Sequence, residues 1–166
     1  MTEYSKVKIK DGLINFVCLR EECQTPCCGP FSGLNTDIDS VHGREFFDIF
    51  LTDNDHVRLI ENGRSDLAIK DKDGHYKMLL NLDGSCTAFV EGRCSVHRFK
   101  PSLCRAYPFY IDLFTGLCAS RSCPGFGGGW TQLSDIQQEI ECTMNMYEHW
   151  LKVAESDLHQ LSTNND

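Results

Sequence analysis

Four cysteines fall within eleven residues, Cys18, Cys23, Cys27 and Cys28, and five more follow downstream at Cys86, Cys94, Cys104, Cys118 and Cys123. Thiols packed this densely point to metal, disulfide or redox chemistry. Thiolate is a soft ligand suited to zinc, copper(I) or iron–sulfur clusters. Several ligands on one short loop also save the entropy of closing separate loops. Cys27 and Cys28 are adjacent, and neighbouring side chains of an extended chain point to opposite faces. The pair suits two neighbouring centres, or one cluster on a special turn. It does not suit a zinc ribbon, whose cysteines come as separated C-x2-C knuckles. The C-x-x-C-H of a haem attachment site is absent.

Compartment decides between metal and disulfide. The first residues show no apolar signal core, and no apolar run approaches the ~18 residues of a membrane span. The expectation is a cytoplasmic protein with no membrane segment. In a reducing cytosol a dense cysteine pattern more often binds metal than forms disulfides, although a thiol-redox relay stays open. The net charge of −8 argues against nucleic acid as a partner. Between residues 84 and 130 the balance reverses: Arg93, Arg98, Lys100, Arg105 and Arg121 face only Glu91 and Asp112. Local positive charge would offset thiolate charge and help keep thiols ionised. A chance surface patch is the plain alternative.

These residues carry a resemblance. Phe16-Val-Cys18, Cys23, Cys27-Cys28-Gly29, Cys86-Thr-Ala-Phe89 and Gly92-Arg-Cys94-Ser-Val-His97 come in that order. Lys100-Pro101-Ser-Leu-Cys104-Arg105-Ala-Tyr-Pro108-Phe109 and Cys123-Pro-Gly125-Phe-Gly127 follow. The chain resembles the CxxCxxCC cysteine-cluster family, also called the YkgJ type, a zinc- or iron-chelating domain. The resemblance implies eight metal ligands: Cys18, Cys23, Cys27, Cys28, Cys86, Cys94, Cys104 and Cys123. It implies a zinc site or an iron–sulfur cluster as cofactor, with a metal ion as the first partner. Cys118 and Cys142 fall outside the pattern and read as small buried hydrophobes. Two departures stand out. Four residues separate Cys18 from Cys23 where the family has two, and Lys100-Pro101 replaces Arg-Pro. His97 occupies a variable aromatic position and reads as a hydrogen-bonding or surface residue. A larger relative, the flagellin lysine methylase, supplies a second reading, an enzyme or enzyme-associated domain related to lysine methylation. No glycine-rich cofactor loop supports it. A thiol-redox or protein-interaction module is a third.

The elements that must position these thiols are short. The expected fold is α+β: a small irregular metal-centred domain with short antiparallel strands, short helices and one long C-terminal helix. A single domain spans 1–166, with a cluster core at about 16–129 and the helix at about 133–161. Alternation predicts strands at 6–10 and 13–18, separated by the turn Asp11-Gly12. Asn35 or Thr36 opens a short helix ending near Gly43, and the apolar run 45–51 packs in the core. Residues 57–60, 67–69 and 76–82 read as strands of an antiparallel meander. Pro101 starts a helical turn carrying Cys104, and Thr115-Gly116 joins a hairpin. Gly127-Gly128-Gly129 reads as a linker or as backbone turned toward sulfur. Ser134 caps the long helix with Gln137 three residues on. Its stripe Ile136, Ile140, Met144, Tyr147, Leu151, Ala154, Leu158 and Leu161 packs on the domain, or forms the seam of a homodimer or a protein partner. The two cysteine groups are expected to meet in one composite site.

Overall fold

The computed structural model describes residues 4–19, 48–121 and 123–163. The chain is α+β, with short antiparallel strands and one long C-terminal helix. Strands β1 (Tyr4–Lys6), β2 (Ile9–Lys10) and β3 (Leu13–Phe16) are followed by helix α1 (Asp53–Glu61). Then come β4 (Ala68–Lys70), β5 (Tyr76–Met78), β6 (Phe89–Val90), β7 (Arg93–Cys94) and helix α2 (Ser102–Ala106). Strands β8 (Phe109–Asp112), β9 (Gly116–Ser120) and β10 (Phe126–Gln132) lead into α3 (Gln137–Thr163).

Two apolar cores result. In the first, Ile49, Leu51, Leu59, Leu67, Met78, Ala88 and Val96 are buried together with Cys86. It lies between α1, the hairpin β4–β5 and the hairpin β6–β7. The second gathers Val7, Ile14, Phe16, Phe109, Ala119 and Ile136. Two sheets supply it, ordered β1-β9-β8 and β10-β3-β2. Phe16 meets Phe109 edge to face at 5.0 Å, the arrangement that ring quadrupoles favour. The long helix touches both regions. Its Ile140 packs against the second core, next to Ile136 of the preceding turn, and Trp150 lies edge-on to Phe50 at 5.4 Å.

Several local expectations are corrected. Residues 57–60 are not a strand but the second half of α1. Thr52 caps that helix, accepting from the Asp55 N–H at 3.1 Å, while the Asp55 carboxylate accepts from the Thr52 N–H at 3.1 Å. This reciprocal capping box outweighs the β-branched run, and only Leu59 of that run is buried while Val57 and Ile60 are exposed. The segment 6–10 divides into β1 and β2, because β1 pairs with β9 and β2 with β3. The strand at 76–82 ends at Met78, and its hairpin has two strands rather than the longer meander. Gly127 to Gly129 are no linker but lie within β10, in the irregularity between Phe126 and Thr131, the residues that pair with Phe16 and Ile14 of β3. Ser134 does not cap α3; it sits inside the 3-10 turn Leu133–Ile136 that precedes the helix. The helix placed at 35–43, residues 45–47 of the apolar run and the tail 164–166 lie outside the described residues.

Asp55 also joins elements far apart in sequence. Its side chain is 0% exposed and pairs with Arg58. Its Oδ1 accepts from the Ser102 N–H at 3.0 Å and from Ser102 Oγ at 2.9 Å. One carboxylate therefore closes α1 and caps the start of α2. Replacing Asp55 by Ala removes a cap worth about 1 kcal/mol and strands buried donors at about 1–3 kcal/mol more. The expected loss is ~2–4 kcal/mol, a fall in melting temperature of about 5–12 °C. Calorimetry of Asp55→Ala and Asp55→Asn checks this, the Asn variant retaining part of the network and losing less.

Candidate metal centre

Strand and helix ends hold the described thiols. Cys86 follows the turn Asn81 to Ser85, in which Asn81 N–H donates to the Ser85 carbonyl at 2.8 Å. An isolated bridge pairs Leu80 with Cys86. Cys94 ends β7 and stands opposite Phe89 of β6. Cys104 lies inside α2, the helix fixed by Asp55. Cys86 is buried in the first core, and Cys94 and Cys104, half-buried, pack against it. Three ligand candidates from three elements thus share one core.

The Cys86 sulfur has a distinct environment. Burial pushes its thiol above the ordinary value, and the neighbouring Cys94 adds a smaller push the same way. The backbone N–H groups of Ala88 and Phe89 donate to the sulfur and oppose that shift. The short loop Cys86-Thr-Ala-Phe89 turns back on itself, with the Phe89 N–H also 2.9 Å from the Cys86 carbonyl oxygen. N–H groups aimed at a buried sulfur cost nothing to a neutral thiol and favour a thiolate. In metal centres such bonds tune the charge held on the sulfurs.

Cys123 and Cys18 form a second neighbourhood. Phe126 pairs with Phe16 across β10 and β3, and the Val17 N–H donates to the Gly125 carbonyl at 3.0 Å. Cys18 therefore leaves β3 beside the tight turn Cys123-Pro124-Gly125-Phe126, closed by a 3.0 Å bond from the Phe126 N–H to the Cys123 carbonyl. Gly125 is required there, because a Cβ would run into the Val17 carbonyl oxygen. Cys18 is exposed, and Cys123 packs against the second core. Backbone pairing thus brings one member of the early cysteine group to one member of the late group. Cys23, Cys27 and Cys28 lie outside the described residues.

Among the described residues, no three His, Cys, Asp or Glu side chains are grouped so as to hold a metal ion. Two cysteines stand outside the eight-cysteine pattern. Cys118 is 3% exposed in β9. Cys142 is half-buried on α3, and burial pushes its thiol up. His97 is exposed in the turn before α2. Two members of the basic segment have partners away from the candidate ligands. Arg105 donates to Gln138 of α3 at 3.0 Å and favours ionised Cys142, and Arg121 reaches Ser5 Oγ. Sequence reasoning missed Asp55 and the Cys86 loop donors. The spacing Thr52-x-x-Asp55 was the signal for the first; nothing in the sequence alone marked the second.

Comparison with known proteins adds no relative: no family model, no curated protein and no solved structure matches the chain.

The raised thiols of Cys86 and Cys142 set a pH dependence for the metal-free protein. An acid whose folded value is raised contributes stability that is complete below its unfolded value, about 8.5 for a thiol. That contribution is lost as pH rises through the folded value, because the unfolded thiol ionises first. Urea unfolding of the metal-free chain should show lower stability at about pH 9.5 than at about pH 7.5. Cys142→Ala should flatten that slope, and an unchanged slope would contradict the assignment.

Proposed function

We propose that the protein is a cytoplasmic metal-binding protein whose cysteines hold zinc or an iron–sulfur cluster. The observation that supports the reading is that Cys86 is buried in the first core and Cys94 and Cys104 pack against the same core, with two backbone N–H groups donating to the Cys86 sulfur. The donor set is soft and anionic, which suits zinc or iron and not calcium or magnesium. The described residues complete no three-ligand group; Cys23, Cys27 and Cys28 belong to the proposed set through the order and spacing of the cysteines. Cys18 and Cys123, adjacent through the β3–β10 pairing, are assigned to the same set of eight. Bound metal would hold these thiols ionised and supply folding free energy, about 10–16 kcal/mol in small zinc domains. The Cys86 loop would fix the orientation of its sulfur, and Asp55 would fix α2 and hence Cys104. That no helix among the described residues is long and apolar enough to cross a membrane fits this reading.

Cys104→Ser and Cys142→Ser test it as a pair. Cys104→Ser should bind less metal per chain and melt about 5–10 °C lower. Cys142→Ser should keep its metal and lose only ~1–3 kcal/mol through a buried hydroxyl. Elemental analysis with sulfide determination reads the metal and separates zinc from a cluster. Equal metal content in Cys104→Ser and wild type would overturn Cys104 as a ligand and favour thiol-redox chemistry.

A further inference from the structure

Helix α2 joins the proposed centre to the long helix. It carries Cys104, a candidate ligand, and packs against α3. Its next residue, Arg105, donates from Nη1 to Gln138 Oε1 of α3 at 3.0 Å. Cys142 follows one turn later on the same face of α3. Burial dominates the state of its thiol, and the charges of Arg105, Asp55 and Arg58 reach it as well. Elements α1, α2 and α3 therefore converge on Cys142, which is half-buried and stands outside the eight-cysteine pattern.

The hold on α3 is uneven along its length. The stripe expected to pack on the domain does so only in part. Ile136 enters the second core and Ile140 packs against it, whereas Met144, Leu151 and Leu158 are exposed. Thr143 and Met146 are buried, and Trp150 meets Phe50. Beyond Trp150 the described side chains are mostly exposed. The first half of α3 is thus gripped by the body, and α2 is part of that grip. Yet α2 has only five residues, and a helix so short is not stable on its own hydrogen bonds. It is held from outside, by the Asp55 carboxylate on Ser102 and by α3 through Arg105. A metal bond to Cys104 would add a further tie to the same turn.

We propose that metal occupancy is transmitted through α2 to α3, so that bound metal tightens the hold on the segment that carries Gln138 and Cys142, and metal loss loosens it. This coupling rests on Cys104 being a ligand, as proposed above, and names the element that responds. Cys104 and Arg105 are neighbours in one turn, so anything that fixes the first sulfur narrows the positions open to the second side chain. The charge-assisted bond from Arg105 to Gln138 is then made for more of the time. The effect is reciprocal: whatever loosens the start of α3 weakens metal binding by the same factor.

The rate at which iodoacetamide alkylates Cys142, read by peptide mass, tests this on the full chain. It is measured on protein as purified, after removal of metal by a chelator, and after zinc(II) is returned. Metal should slow Cys142 at least ~5-fold, the low end of coupling between linked sites. Gln138→Ala should bind as much metal per chain at saturating zinc(II) and lose most of the slowing. Gln138→Glu, which keeps an acceptor for Arg105, should retain it. Equal Cys142 rates with and without bound metal would overturn the coupling. Slowing that Gln138→Ala leaves intact would overturn it too, because the metal would then be stabilising the whole fold rather than acting through α2. A chain that binds no metal under any of these conditions overturns the metal reading itself, and the coupling with it.

Discussion

The Asp55 side chain is withdrawn from solvent, and donors from Thr52, Arg58 and both polar groups of Ser102 converge on it. A buried carboxylate is tolerable only when its lone pairs are satisfied, and here the donors come from two segments 47 residues apart. The same interaction that starts α1 therefore sets where α2 begins. Because α2 is a helix of five residues with no side-chain cap of its own, it depends on that outside carboxylate. Cys104 and Arg105 ride on it, and Arg105 in turn reaches Gln138 of α3. The first core, the Cys104 thiol and the long helix are thus linked through one polar hub inside an otherwise apolar region.

The cysteines obey the opposite economy. Cys86 and Cys142 sit where burial favours the neutral thiol, yet Cys86 also receives two backbone N–H groups. Those donors lower the cost of negative charge on the sulfur, which is what the proposed ligand role asks of it. The contrast with Cys118, buried in β9 and paired in register with Tyr110 and Lys6, separates a packing cysteine from a candidate ligand. Gly125 adds a steric constraint of the same kind: the β3–β10 approach that carries Cys18 toward Cys123 leaves no room for a side chain.

Much of the scaffold was legible because it follows local rules. The β8–β9 hairpin, the turn at Asp11-Gly12, the helical turn after Pro101 and the long C-terminal helix all follow from turn chemistry and periodicity. The α+β class follows with them. The failures share a cause, which is tertiary partnership. Val57 to Ile60 has strand-like composition, but the capping box at Thr52 and Asp55 decides for helix. Three successive glycines read as a linker until β3 is placed beside them. The α3 stripe has the period of a helix that covers a domain, yet two registers overlap in that sequence, and Thr143, Met146 and Trp150 supply the one that faces inward. Of the eight candidate ligands, residue type and order were visible from the start. Which thiols share a core was not, because it depends on contacts between hairpin β6–β7, α2 and the first core.

Sulfur coordination of the proposed metal is measured directly by X-ray absorption at the zinc or iron edge of anaerobically purified protein. A first shell made only of sulfur is expected, with zinc–sulfur distances of about 2.3 Å if the metal is zinc. A shell of nitrogen and oxygen alone, or protein that purifies folded with no metal and all its thiols free, would contradict it.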